Sequence, residues 1–397
     1  MSVVIIGAGQ TGVQVAASLR NQGYHQSITL LSNEQELPYQ RPPLSKEYLR
    51  GEQDKNALLL RPPAYYDQAA INFRQGVEAV EIDREQQLVK LNNNEALSYE
   101  HLVLATGARN REFPFGQEMI YYLRTIDDAN RLAEKATEGA HAVIIGGGFI
   151  GLELAASLRA KGLAVHVVER SNQLMGRVVS PVMSEVFCRV HRERGVKVCL
   201  STGLEEYMER EGIKLSNGEE LNPQLLITGI GILPNTELAE AAGLATDNGI
   251  KVNEYLQTSD PAIYAGGDCA SYHNPYAGGH VRLESVQNAT DQGETIAANI
   301  LGNQQPYNKV PWFWTIQYHL KLQIAGISRG YDEFVTRGNP EEDKFSVFYL
   351  KAGKLIAVDS LNKPLDHMYA RKLLAAGVTP TRKQIEDEEF KLKELLS

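Results

Sequence analysis

Two glycine-rich turns have the spacing that brings a backbone up against a phosphate. The first is Val3-Val4-Ile5-Ile6-Gly7-Ala8-Gly9-Gln10-Thr11-Gly12. The second is Ala142-Val143-Ile144-Ile145-Gly146-Gly147-Gly148-Phe149-Ile150-Gly151. In a G-x-G-x-x-G turn the first glycine permits a tight bend and the second admits a pyrophosphate. The third lets helix and strand pack closely. The phosphates then meet free N–H groups and the positive end of a helix dipole. One such turn also occurs inside ordinary parallel sheets. Two of them, about one domain apart, imply two dinucleotides on one chain. The chemistry that follows is electron transfer between a bound flavin and a diffusing nicotinamide.

The elements around each turn fit that reading. An apolar strand precedes each, and helical periodicity follows, through Val13, Ala16, Ala17 and Leu19 and through Leu152, Leu154, Ala155 and Leu158. Gly23 and Gly162 stand where helix C-caps are expected. A second strand should then end near an acid for the ribose hydroxyls. Ala164-Val165-His166-Val167-Val168 ends at Glu169. A carboxylate there repels a 2′-phosphate and favours NADH, although Arg170 or Arg177 could meet one. In the first half Ile28-Thr29-Leu30-Leu31 ends at Ser32-Asn33-Glu34, so the acid is either Glu34, one residue late, or replaced by Asn33.

The halves repeat. Val89 to Leu97 leads into Leu102-Val103-Leu104-Ala105-Thr106-Gly107, and Ile213 to Leu221 leads into Leu225-Leu226-Ile227-Thr228-Gly229. Each is a strand, a turn, a strand, then a buried strand ending in Thr-Gly. These small ends bring backbone close either to a dinucleotide or to a domain crossover. A third landmark, Asp260-Pro261-Ala262-Ile263-Tyr264-Ala265-Gly266-Gly267-Asp268, runs a short strand into two glycines and an acid. Asp268 there either accepts from a flavin's ribityl chain or caps a turn. A helix starting near Ser285 and Val286 would turn its positive end to the flavin's N1–C2=O edge.

Together these segments resemble the NADH-dependent ferredoxin and rubredoxin reductases, the reductase components of bacterial aromatic-ring dioxygenase and cytochrome P450 systems. The matching stretches are Pro38 to Lys46, Leu104 to Ala108, Tyr122 to Thr125, Gly146 to Glu153, Ala265 to Asp268, Arg282 to Ser285 and Pro311 to Trp314, in the family's order. The resemblance implies FAD and NADH (NAD+) as cofactors and a small iron–sulfur ferredoxin or rubredoxin as partner. It implies an α/β fold of glutathione-reductase-like architecture, with two Rossmann-like dinucleotide-binding domains and a C-terminal α+β domain. It places Lys46 near the flavin ring, Val77 at the adenine, Arg124 at the FAD phosphates, and Asp268 and Val286 at the flavin half. Glu153 falls near the nicotinamide, and Trp314 beside the isoalloxazine, as a shield, an electron path or a core aromatic. Lys46, Glu153 and Trp314 form the implied catalytic set. The implied cofactor-facing set also takes in Gln10, Thr11, Arg41, Ala105, Gly231, Gly267 and Glu284. The chain departs from the family at Asn33, commonly Asp, at Val286, often Trp, and at Thr315-Ile316, often Ser-Asp.

The expected domains are 1–110 and 233–310 for FAD, 111–232 for NADH, and 311–397 for the C-terminal domain. In the last, Lys351-Ala352-Gly353-Lys354 predicts a hairpin. A helix is expected from about Asp366 to Leu374, and a charged one over Glu386 to Glu394. The chain has 397 residues and a net charge of −9, which disfavours nucleic acid or an anionic membrane as partner. A docking patch would need local basic residues such as Lys309, Lys321, Arg329 and Arg337. No apolar run predicts a membrane span and no signal region precedes Val3, so a cytoplasmic protein is expected. Oligomeric state stays open. Cys188, Cys199 and Cys269 form no C-x-x-C, and the histidines show no zinc spacing, so neither a redox disulfide nor a metal is expected. Two other readings share the cofactors: an NADH oxidase or peroxidase, which the missing active-site cysteine disfavours, and a redox-sensing flavoprotein like apoptosis-inducing factor.

Overall fold

The structure is a computed structural model that describes residues 2–114, 119–208 and 212–396. The chain gathers into two compact units. Residues 1–40, 55–109 and 232–309 make the first; residues 41–54, 110–231 and 310–397 make the second. Residues 41–54, grouped by sequence with the first segment, therefore pack with the second unit.

In the first unit five parallel strands lie in the order Ile263–Ala265, His101–Leu104, Ser2–Ile6, Ser27–Ser32, Ile71–Gln75. The central strand is a continuous apolar run because helices or loops cover both of its faces. Helix Gln10–Asn21 carries the chain from that strand to its neighbour, and helix Val286–Ile300 packs against it. Gly293 makes this approach possible: a Cβ there would stand 2.8 Å from Gln14 Cβ.

The second unit repeats the plan. Its parallel sheet runs Val196–Cys199, Ala164–Val168, His141–Ile145, Leu225–Thr228, Ile120–Tyr121, with helix Phe149–Ala160 after the central strand. Each unit also carries an antiparallel three-stranded meander, Ala79–Asp83 to Ala96–Ser98 in the first and Leu204–Met208 to Glu220–Leu221 in the second. The second unit adds a five-stranded antiparallel sheet in the order Trp312–Gln317, Leu320–Gly326, Lys354–Leu361, Lys344–Lys351, Glu333–Asn339. The predicted hairpin forms there, with Ala352 and Gly353 at φ 49° and 72°, as a type I′ turn needs. Helix Pro364–Ala376 packs on this sheet.

The charged helix expected over Glu386 to Glu394 is not formed. A capping box at Thr381 starts helix Arg382–Glu386, and the chain then leaves it until the 3-10 turn Leu392–Leu396. The buried guanidinium of Arg337 is the reason. It collects the carbonyls of Gln384, Ile385, Asp387, Glu388 and Phe390. Carbonyls turned inward to one cation cannot continue an i to i+4 ladder.

Asp359 sits fully buried in the same sheet, where one carboxylate oxygen accepts from the Tyr349 hydroxyl. That hydroxyl also accepts from the Ser180 backbone N–H at 2.8 Å. Burial pushes the Asp359 carboxyl up to about 8. Its folded value lies above the unfolded one of about 3.9. Its stabilising share is thus fully present below pH ~4 and is lost as the pH rises towards 8. Asp359→Asn should raise the melting temperature more at pH 8 than at pH 5, and an equal shift at both would show that Asp359 is ionised in the fold.

Candidate active site

The two glycine turns have one geometry. Gly7 and Gly146 adopt φ of 106° and 111°, which side chains rarely tolerate. A Cβ on Gly7 would stand 2.2 Å from the Ala105 carbonyl oxygen, and one on Gly146 2.6 Å from that of Gly229. A Cβ on Gly12 would meet the Gly7 carbonyl oxygen at 1.9 Å, and one on Gly151 that of Gly146 at 2.2 Å. Strand and helix packing therefore account for these four.

Gly9 and Gly148 are different. They cap helices Gln10–Asn21 and Phe149–Ala160 with ordinary φ of −76° and −82°, and a Cβ on either would meet no heavy atom within 4 Å. Neither the backbone nor the packing asks for glycine there. A side chain would obstruct only the space above each helix N-terminus, where no side-chain cap and no first-turn acid competes for the N–H groups. Such a cradle fits a pyrophosphate, and each unit has one.

Around the second cradle, Glu169 is fastened to the turn. Its Oε2 accepts from Gly147 N and its Oε1 from Ser171 N, both at 2.7 Å. Arg170 and Arg177 are exposed. Ile150 is 47% exposed beside the cradle, and Phe149 packs edge-on against Phe313 with ring centroids 4.6 Å apart. Gly229 N donates to Ile145 O at 2.8 Å, and Gly231 takes φ 107° and accepts from Arg111 N at 3.0 Å.

Around the first cradle, Gln10 Nε2 donates to Thr290 Oγ1 at 3.1 Å. Thr11 is buried beneath Gly267, whose Cβ would stand 2.4 Å from Thr11 Oγ1. Asp268 follows, half-buried on the 3-10 turn Gly267–Cys269. Ser285 caps helix Val286–Ile300 by accepting from Asn288 N at 3.1 Å, and Glu284 pairs with Arg282 at 2.8 Å. Asn33 is exposed, whereas Glu34 accepts from the Tyr39 hydroxyl at 2.5 Å. Val77 N donates to Ser32 O at 2.8 Å. Thr106 is held by Asn235. Its hydroxyl donates to Asn235 O at 2.7 Å, and Asn235 Nδ2 donates to Thr106 O at 2.8 Å.

The second unit brings Lys46 and Glu153 together. Lys46 follows the short turn Pro42–Ser45, and its Nζ lies 2.8 Å from Glu153 Oε2. Ser45 Oγ donates to the same oxygen at 2.6 Å, and Thr315 Oγ1 donates to Glu153 Oε1 at 2.7 Å. The carboxylate is buried, so a full set of donors is what keeps it tolerable there. Arg41 Nη1 donates to Arg124 O at 2.5 Å, which ties the segment's start to the same unit. Trp314 is half-buried, its ring 5.5 Å from that of Trp312, over which Arg371 lies at 4.8 Å. The sequence reading missed Ser45, Thr315 and Gln317. The signal was available in the strand Trp312–Gln317, where polar residues at 315 and 317 share a face opposite the tryptophans.

Residues 1–293 match the family model described as pyridine nucleotide-disulphide oxidoreductase, and residues 312–396 match one described as reductase C-terminal. The chain belongs to the pyridine nucleotide-disulphide oxidoreductase family. Within that family it is 46% identical to rhodocoxin reductase of Rhodococcus erythropolis, over 99% of this chain and 94% of the relative. The ferredoxin reductase for the CYP199A2 system from Rhodopseudomonas palustris is 44% identical with a TM-score of 0.96, covering 100% of both chains. The reductase in the covalent putidaredoxin reductase–putidaredoxin complex is 38% identical with a TM-score of 0.95, over 100% of this chain and 98% of that one. The three cysteines, Cys188, Cys199 and Cys269, are free, with Cys188 and Cys269 buried.

Proposed function

We propose that this chain is a reductase that takes a hydride from NADH onto bound FAD and passes single electrons to a small ferredoxin or rubredoxin serving an oxygenase. The observation that carries this reading is the pair of cradles, one per unit, each with a central glycine that neither its φ nor its packing requires. Relatives named as reductases of rhodocoxin, putidaredoxin and rubredoxin support the acceptor class. We assign FAD to the first unit's cradle, with Gly7, Gly9, Gly12 and Asp268, and NADH to the second's, with Gly146, Gly148, Gly151 and Glu169. The flavin supplies the chemistry, since it accepts a hydride and gives electrons up one at a time.

The chain's residues orient and hold charge. The free N–H groups at each helix N-terminus bind phosphate. Glu169, with one lone pair on each oxygen taken by backbone, keeps others for ribose hydroxyls and repels a 2′-phosphate. Lys46, kept in place by Glu153, offers a fixed cation beside the ring. Trp314 shields the ring on the acceptor side. No side chain need act as acid or base. We divide the chain at 110, 232 and 310 into these functions and place the protein in the cytoplasm; among the described residues no helix is long and apolar enough to cross a membrane.

Stopped-flow mixing with NADH tests the proposal. Rapid bleaching of the flavin, slow reoxidation in air and fast reoxidation by an added ferredoxin or rubredoxin are expected. Fast reoxidation by oxygen or peroxide would make the protein an oxidase or peroxidase, and a long-lived reduced complex with no preferred acceptor would make it a sensor.

A further inference from the structure

We infer that Thr315, Gln317 and His191 form a one-directional hydrogen-bond relay ending on the Glu153 carboxylate, and that they are positioning residues for Lys46. Strand Trp312–Gln317 alternates its side chains, so Phe313, Thr315 and Gln317 share a face. Phe313 meets Phe149 of helix Phe149–Ala160, and Thr315 Oγ1 donates to Glu153 Oε1 one turn further along. Gln317 Nε2 donates to Thr315 Oγ1 at 3.3 Å. Gln317 Oε1 faces His191 Nε2 at 2.9 Å, on helix Pro181–Glu193. Thr315 and Gln317 are 1% exposed and His191 is 0% exposed, so water does not compete for these bonds.

The proton positions follow from the groups themselves. An amide oxygen only accepts, so His191 Nε2 carries a hydrogen. An amide nitrogen only donates, so Thr315 accepts from Gln317 and spends its single hydrogen on Glu153. His191 Nδ1 is buried with no partner among the described residues, which suits a bare acceptor better than an N–H. Running the relay backwards would flip the Gln317 amide, move the ring hydrogen to Nδ1 and leave it facing nothing. The neutral ring, whose pKa burial pushes down, thus sets the direction, and the carboxylate receives donors on both oxygens. The charged group facing Glu153 from residues 41–54 is Lys46. Arg50, bonded to Ser157 on Glu153's own helix, shares its charge with Glu47 and Glu52. The strand contributes neutral Thr315 and Gln317, and helix Pro181–Glu193 contributes His191.

The relay rests on the placing of Lys46 beside the flavin proposed above. The test follows flavin reduction by NADH between pH 5.5 and 8.5 in wild type, Thr315→Val and Thr315→Ser holoprotein. It adds 15N NMR of the labelled histidines. Thr315→Val keeps shape but removes the donor, so the charged carboxylate loses one of the hydrogen bonds that favour it. Its rate should drop at least threefold from pH 8 to pH 6 relative to wild type, and Thr315→Ser should restore the wild-type profile. His191 should show the Nε2–H tautomer. Parallel profiles for Thr315→Val, a Thr315→Ser protein that behaves like the valine variant, or an Nδ1–H tautomer would each overturn the relay. The double variant Lys46→Met with Glu153→Gln separates the two ideas. If it is reduced as fast as wild type, the placing of Lys46 fails and the relay's role with it, whereas the tautomer is read without any electron transfer.

Discussion

Gly148→Ala should weaken NAD+ binding about 100-fold, or roughly 2.7 kcal/mol, while costing at most about 1 kcal/mol of stability through a poorer helix cap. The added methyl meets no heavy atom of the described residues within 4 Å, so its effect should fall on what binds there rather than on the fold. Gly151→Ala, only three residues on, should do the opposite. Its Cβ would stand 2.2 Å from a backbone oxygen that has no room to yield, so the fold itself gives way by several kcal/mol. Calorimetric titration with NAD+ and thermal melting of both variants measure this. The first unit offers the matching pair, Gly9→Ala, expected to purify with little flavin yet remain folded, and Gly12→Ala, expected to fold poorly. A Gly148→Ala protein that binds NAD+ like wild type would remove the second cradle from the proposed function.

Lys46→Met should destabilise the protein by about 3–5 kcal/mol, the range for leaving one partner of a buried ion pair behind. Glu153 would keep Ser45 and Thr315 as donors but lose its counter-charge in a site that is 4% exposed. Adding Glu153→Gln removes the stranded charge and should recover most of the loss. Urea denaturation of both single variants and the double closes the cycle. A double variant whose loss equals the sum of the two single losses would mean that the pair is not coupled.

Much of the plan was legible in the linear chain because it is local. A strand, a glycine turn and a helix are consecutive residues, and their apolar spacing, their turn chemistry and the duplicated order of parts all lie within short windows. The place of Glu169 beside its turn was legible for the same reason, since it stands directly after its strand. In the first half the packing of Asn33 and Glu34 was not legible, since it takes the Tyr39 hydroxyl to show that Glu34 is anchored and Asn33 exposed. The helix expected at Glu386 was misread because its carbonyls answer to Arg337, about fifty residues earlier in the chain.

The residue types alone determined two units of strand, glycine turn and helix, since glycine is the residue that readily accepts the φ found at Gly7 and Gly146. Folding decided what surrounds Glu153. Ser45 and Lys46 reach it across more than one hundred positions, Thr315 across a still longer span, and Gln317 and His191 stand behind Thr315. A buried charge takes its donors from whatever elements pack against it, and sequence spacing carries no record of that choice.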